Sequence, residues 1–377
     1  FDDAISVSKD EHGNYHLGVH IADVTHYVKE HTPLDKEALK RGTSVYLVDK
    51  VIPMLPKELS NGICSLNPDV DRLTLSCLMT IDKNGVVMEH QIVESVIRSK
   101  YRLVYEDVSH LLETIDRTKQ FTDLEQSLIF AEELANILFE VREHRGAIEF
   151  DFPESKVIVE DEKVLDVQVR ERKIANDMIQ EFMLIANETV SKEYFHKKLP
   201  FVYRVHEQPA EDKIKEFNNF IAVFGVHASL DEEANVEPKD LQKILKEVKG
   251  REEEDIISKM MLRSLRQARY SPVNEGHFGL AAKYYTHFTA PIRRYPDLQI
   301  HRIIKMDIHH YLSGKKIEEL FSVVDSVSRS SSDSERNAEQ AERDFENLRK
   351  AQYMERFIGQ EFDGKITSVT NFGIFVT

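Results

Sequence analysis

The sequence predicts an α+β fold, a mixed β-sheet flanked by helices. Apolar residues alternate with period two over roughly the first hundred residues, and from Tyr105 the spacing changes to three and four. A short alternating stretch returns after Gly359.

Ala4–Ser8 and Tyr15–Ala22 flank the turn Glu11-His12-Gly13-Asn14. In the second run Tyr15, Leu17, Val19 and Ile21 share one face, and His16, Gly18, His20 and Ala22 share the other, as in a half-buried strand. Leu73–Ile81 and Val86–Val96 enclose Lys83-Asn84-Gly85, a strong hairpin signal. Between the hairpins, Ile52-Pro53-Met54-Leu55-Pro56 and Leu66-Asn67-Pro68 mark irregular chain. Ile174, Met178, Phe182 and Ile185 form one helical stripe. Ile214, Phe217, Phe220, Ile221 and Phe224 form another, which Gly225 closes. Asp297–Leu312 is a third helix. Ser332 and Glu335 have capping-box spacing, so a fourth is expected to begin there and to turn Ala338, Ala341, Phe345 and Leu348 inward. The last stretch reads as two short strands, Phe362–Val369 and Asn371–Val376, too few to stand alone.

Composition sets the outer bounds. A chain of 377 residues with 41% hydrophobic content is ample for a large core. Two cysteines, Cys64 and Cys77, supply neither a disulfide framework nor zinc-site spacing, which points to a reducing, cytoplasmic setting. No apolar run approaches the roughly 18 residues of a membrane span. The net charge of −16 is not that of a generally basic nucleic-acid binder, yet a local positive channel is compatible with it. No Gly-rich phosphate loop occurs, and the sixteen histidines show no ligand spacing.

Four groups of residues invite chemistry. Asp2 and Asp3 precede the first strand. If Lys9 pairs with Tyr15, the register brings Asp23 near Asp2, and three carboxylates would suit a hard cation such as Mg²⁺. The alternative is that acidic residues decorate strand ends. Tyr284–Leu298 sets aromatics beside the adjacent guanidiniums of Arg293 and Arg294, which could stack on bases and clamp phosphate, or could be a buried loop paired with carboxylates. Glu335, Glu339, Glu342 and Glu346 form a stripe expected to be a solvated face. Tyr46 and Tyr203 read as core or as stacking aromatics.

At these residues the chain resembles the ribonuclease II superfamily, and within it the ribonuclease R branch of bacteria. The resemblance rests on Phe1-Asp2-Asp3-Ala4-Ile5-Ser6-Val7, Val19-His20-Ile21-Ala22-Asp23-Val24, Met54-Leu55-Pro56, Leu59-Ser60-Asn61-Gly62-Ile63-Cys64-Ser65-Leu66-Asn67-Pro68, Thr286–Leu298 and Ala341-Glu342-Arg343-Asp344, in family order. It implies a catalytic domain over 1–355 built around an RNA channel, followed from 358 to 377 by the first strands of an OB-fold. It implies a processive exoribonuclease, monomeric and Mg²⁺-dependent, that hydrolyses single-stranded RNA from its 3′ end to nucleoside 5′-monophosphates. By resemblance Asp2 and Asp3 are metal ligands, the last two of four clustered aspartates whose first two would precede Phe1. Arg293 contacts the scissile region, and Tyr46, Tyr203, Arg294 and Glu342 bind RNA. A non-catalytic RNA-binding or scaffolding member is the alternative, and a hydrolase of small phosphate esters is a third.

Overall fold

A computed structural model describes residues 1–161, 163–226, 236–364, 366–370 and 373–376. Lys365, Asn371 and Phe372, assigned above to the terminal strands, lie outside the described residues. The expected α+β architecture is present.

Strands β1 (Asp3–Lys9) and β2 (Tyr15–Ala22) form the first hairpin, with Lys9 opposite Tyr15 and Asp3 opposite Ile21. Helix α1 (Pro33–Arg41) and the short pair β3 (Val45–Tyr46) and β4 (Val51–Ile52) follow. Strands β5 (Asp71–Ile81) and β6 (Val87–Arg98) then complete an antiparallel sheet of order β1-β2-β5-β6. The alternation has the expected consequence, since Tyr15, Leu17, Val19 and Ile21 are all buried. They pack in one core with Leu75 and Met79 of β5 and with helices that cover the inner face. The opposite face carries hydroxyls and imidazole, with His20 between Ser6 and Ser76.

Helices α2 (Tyr105–Thr114), α3 (Asp123–Arg145) and α4 (Ile174–Lys197) follow, the hairpin β7 (Glu154–Glu160) and β8 (Lys163–Arg170) lying before α4. On α4, Met178 and Phe182 are buried as the stripe predicts. Strand β9 (Tyr203–Val205) pairs with β10 (Arg269–Ser271). Between them α5 (Glu211–Ala222), α6 (Pro238–Val248) and α7 (Glu254–Ser264) bury a separate core around Phe217, Leu241, Ile244 and Met261. The chain leaves α5 at Ala222 and turns at Gly225. Helix α8 (Tyr295–Ile308) begins two residues before the expected start. Helix α9 spans Gly314–Met354, and β11 (Ile366–Thr370) pairs with β12 (Gly373–Val376). Among the described residues, no helix is long and apolar enough to cross a membrane.

Helix α9 corrects three expectations. Its 41 residues span about 60 Å without a break at Ser332. Ser328 and Ser332 direct their hydroxyls to the carbonyls of Val324 and Ser328, both at 2.7 Å, so these serines sit inside the helix instead of capping one. The glutamate stripe is not a solvated face either. Glu335 pairs with Arg204, Glu339 accepts from Gln267, Glu342 accepts the Tyr46 N–H and Glu346 accepts the Ser155 hydroxyl. Four carboxylates on one face therefore tie β9, the approach to β10, β3 and β7 to one long rod. Of the residues expected inward, Ala338 is buried, whereas Ala341 and Leu348 are exposed.

Candidate functional site

Asp2 and Asp3 stand where the open end of the first hairpin meets the loop before α8. The Asp2 carbonyl accepts from Ala22 N–H at 2.8 Å, and its carboxylate Oδ1 accepts from Ile292 N–H at 2.8 Å. That loop is pinned along its length. Thr286 donates to the Val202 carbonyl, Phe288 N–H to Asn187, and Ala290 N–H to Asp297, while His301 Nε2 lies 2.7 Å from the Phe288 carbonyl. Two prolines and these tertiary bonds replace regular structure, so the backbone that presents Arg293 is fixed without being helix or strand.

A second strip of chain lies against it. Ser44 N–H donates to the Arg293 carbonyl at 3.0 Å, and Tyr295 N–H donates to the Gly42 carbonyl at 2.9 Å. Gly42 has φ +69, and a Cβ there would meet the side chain of Ser334 on α9 at 2.5 Å, so conformation and contact both require glycine. This approach carries Tyr46 to the site. Its N–H is held by Glu342 Oε1 at 2.6 Å, and the residue remains 48% exposed.

The electrostatics show which groups share the space. Burial pushes the Asp2 carboxyl up to about 6, against the Ile292 N–H and the Arg293 charge, with Asp3 and Asp297 adding repulsion. Asp3 is raised chiefly by burial and is opposed by Arg293. Burial also raises the Tyr46 phenol, which feels Arg293, Asp2 and Glu342. Among the described residues Arg293 makes no ion pair within 4 Å, so its guanidinium is uncommitted. Asp2, Asp3, Arg293, Tyr46 and Glu342 therefore converge.

The remaining expectations fare differently. Asp23, expected beside Asp2, turns away. Its carboxylate takes Lys305 Nζ at 2.5 Å and the Thr25 hydroxyl at 2.6 Å. Burial would raise Asp23, but these two donors outweigh it and hold its carboxyl below the ordinary range. The register places the backbones as expected, but a cation in the core captures the side chain. Arg294 is bound internally through two N–H donors to the buried Asp297, at 2.9 and 2.7 Å. Tyr203 is 5% exposed and packs against Phe201, leaving no ring face open at the site. No motif assigned a role to Tyr105, whose phenol burial raises with a contribution from Asp3. Its only signal was the basic and aromatic interleaving just before it.

Among the described residues, no set of three or more His, Cys, Asp or Glu side chains could hold a metal ion. What the site offers is two carboxylates, that of Asp2 pushed up to about 6 by burial. That donor chemistry fits part of the shell of a hard divalent ion. The broad recess of about 660 Å³ lined by Ser6, His16, Thr80 and His90 is on the outer sheet face and involves none of these residues.

Comparison with known proteins bears on the family and the fold. Residues 1–310 match the RNB domain family. Ribonuclease R 1 of Lactococcus lactis is 47% identical over all of this chain, which covers 46% of that protein. The chain thus spans about half the length of the curated relatives it matches. The structure of Mycoplasma genitalium RNase R in complex with ribose-methylated single-stranded RNA superposes with a TM-score of 0.93 at 30% identity, over 100% of this chain and 59% of that one. Yeast Ssd1, a pseudonuclease, superposes with a TM-score of 0.71 at 25% identity, over 89% of this chain and 41% of that one. A family match across the sheet, the pinned loop and the converging carboxylates leaves one conclusion: the chain belongs to the RNB domain family.

Proposed function

We propose that this chain is the hydrolytic core of a processive exoribonuclease that shortens single-stranded RNA from its 3′ end and releases nucleoside 5′-monophosphates. The convergence of Asp2, Asp3, uncommitted Arg293 and exposed Tyr46 carries this reading. The RNA named with the Mycoplasma genitalium relative supports the substrate class.

Asp2 and Asp3 would hold a divalent cation, taken here as Mg²⁺. When bound, that ion supplies charge for the phosphodiester and lowers the pKa of an attacking water. Arg293 presents a planar fork to two phosphoryl oxygens and stabilises the charge that develops on them. Tyr46 stacks on the terminal base, the Glu342 bond to its N–H holds the backbone that carries the ring, and the stack aligns the scissile bond. Arg294 acts at one remove, locking the loop to Asp297 so that Arg293 is correctly placed. Discrimination against DNA rests on the ribose 2′-OH. The same reading assigns 1–355 to the catalytic domain and 358–377 to the start of an OB-fold, in a cytoplasmic monomer. Two free, buried cysteines are in keeping with a reducing compartment.

The second reading, an RNA-binding member without hydrolysis, draws on the likeness to a pseudonuclease. Asp2, Asp3 and Arg293 weigh against it. Incubating the full-length protein with 5′-labelled single-stranded RNA decides. Stepwise shortening with Mg²⁺ that stops in EDTA supports hydrolysis, and binding without shortening supports the scaffold. In the same assay Asp3→Asn should abolish cleavage and leave RNA affinity nearly unchanged. Activity within about threefold of wild type would remove Asp3 from the site.

A further inference from the structure

Between β6 and α2 the chain runs through Ser99–Val104 without helix or strand. In a protein with 66 carboxylates against 50 cations, the stretch Ser95–Tyr105 holds three cations and no acid. Arg98 is paired with Asp71, but Lys100 and Arg102 make no ion pair within 4 Å among the described residues. Both are exposed, as are Tyr101 at 53% and Leu103 at 46%. The Arg102 guanidinium lies over the ring of Phe1, 4.9 Å from its centroid, and Phe1 directly precedes the carboxylate pair. The segment is anchored beside that pair, because Asp69 N–H donates to the Ser99 carbonyl and Leu66 N–H donates to the Phe1 carbonyl.

Its position beside the site follows from these Phe1 contacts, and the charges felt on either side are in keeping with it. Tyr46 feels Asp2, whereas Tyr105, at the end of this segment, feels Asp3. Tyr46 and the segment thus adjoin different members of the carboxylate pair, the segment from the Phe1 side. With the terminal base on Tyr46, a strand that crosses the carboxylate pair towards Phe1 reaches this segment.

We propose that Lys100, Tyr101 and Arg102, together with the ring of Phe1, form a track for the nucleotides on the 5′ side of the scissile bond. Lys100 and Arg102 each take a phosphate, and the Tyr101 ring and the Arg102–Phe1 stack offer flat faces to bases. Unpaired cations interleaved with exposed rings are the combination that single-stranded nucleic acid uses without reading sequence. The proposal rests on the hydrolase reading above.

The test measures binding of a labelled twelve-nucleotide single-stranded RNA to the full-length protein in EDTA, between 50 and 300 mM salt. For the double variant Lys100→Gln, Arg102→Gln, the slope of log affinity against log salt should become shallower by about 1.4, since each lost phosphate contact contributes about 0.7 on single strands. Affinity at the lowest salt should fall roughly tenfold. Tyr101→Ala should weaken binding to a similar extent with the slope unchanged, because stacking releases no counterions. Arg102→Lys, which keeps the charge, should keep the slope, as should Lys83→Gln at the β5–β6 turn. All four positions are exposed, so melting temperatures should stay within about 1 °C of wild type. Wild-type slope and affinity in the double variant would overturn the track while leaving the hydrolase reading intact. A wild-type protein that binds no RNA overturns both.

Discussion

Asp2→Asn should make the protein more stable at neutral pH while destroying its activity. Burial raises the Asp2 carboxyl from the ordinary 3.8 to about 6, and Asp2 is only partly exposed. Each tenfold change in proton affinity is worth about 1.4 kcal/mol, so ionised Asp2 costs the folded state up to about 3 kcal/mol. The sign is fixed by linkage. The folded state binds the proton more tightly than the unfolded chain, so the carboxyl costs nothing below about pH 4. The cost grows between pH 4 and 6 and is fully present above pH 6. Asparagine retains an oxygen for the Ile292 N–H and carries no charge. In EDTA at pH 7.5 the variant should therefore melt about 4 °C higher than wild type, taking an unfolding entropy of about 2.1 cal/mol/K per residue. At pH 4 the two should coincide. Added Mg²⁺ should raise the wild-type melting temperature and leave the variant unmoved, since the cation compensates only an ionised pair. Differential scanning calorimetry across pH, with and without Mg²⁺, reads all of this. A variant no more stable than wild type at pH 7.5, or an advantage independent of pH, would refute the account of a buried carboxylate waiting for a cation.

Arg293→Lys should slow single-turnover cleavage more than it weakens RNA binding, since lysine lacks the planar fork; a loss confined to affinity would mean that Arg293 only positions RNA. Tyr46→Ala should lengthen the end products with little change in the initial rate on long RNA. Base stacking worth roughly 1–3 kcal/mol matters most when few other contacts remain, and product sizing on a denaturing gel is the check. Tyr203→Ala should behave oppositely, losing about 3–5 kcal/mol of stability in chemical denaturation with product length unchanged, as expected when a buried aromatic is truncated. Glu181→Gln should cost about 1–3 kcal/mol in the same measurement, because Arg142, which is 6% exposed and donates three hydrogen bonds to that carboxylate, keeps Glu149 at 3.7 Å as an ion-pair partner.

The sequence alone determined the sheet's two hairpins and, once Lys9 is set opposite Tyr15, the register of the first. Period-two burial and turn residues are local signals, and shifting a strand by one residue would put Leu17, Val19 and Ile21 into solvent. It also determined the loop before α8, where two prolines and a dense set of aromatics and guanidiniums stand within fifteen residues. Asp2, Asp3, Arg293, Tyr46 and Glu342 were named through the family resemblance and not through spacing, and the fold sets them near one another.

Only the tertiary structure decided what the charged and aromatic side chains do. Asp23 sits where the register expects it, yet Lys305, 282 residues away in sequence, takes its carboxylate. Arg293 and Arg294 are neighbours of one chemistry, but the first is left uncommitted and the second is spent on Asp297. Tyr46 and Tyr203 look alike in sequence, and one is half exposed while the other is core. The glutamates of α9 have the spacing of a solvated face until β3, β7 and β9 are laid against them. The physical reason is the same in each case. Backbone pairing and apolar periodicity depend on nearest neighbours along the chain. The fate of a polar side chain depends on which donor, acceptor or charge the fold brings within about 3 Å, and that partner is usually remote in sequence.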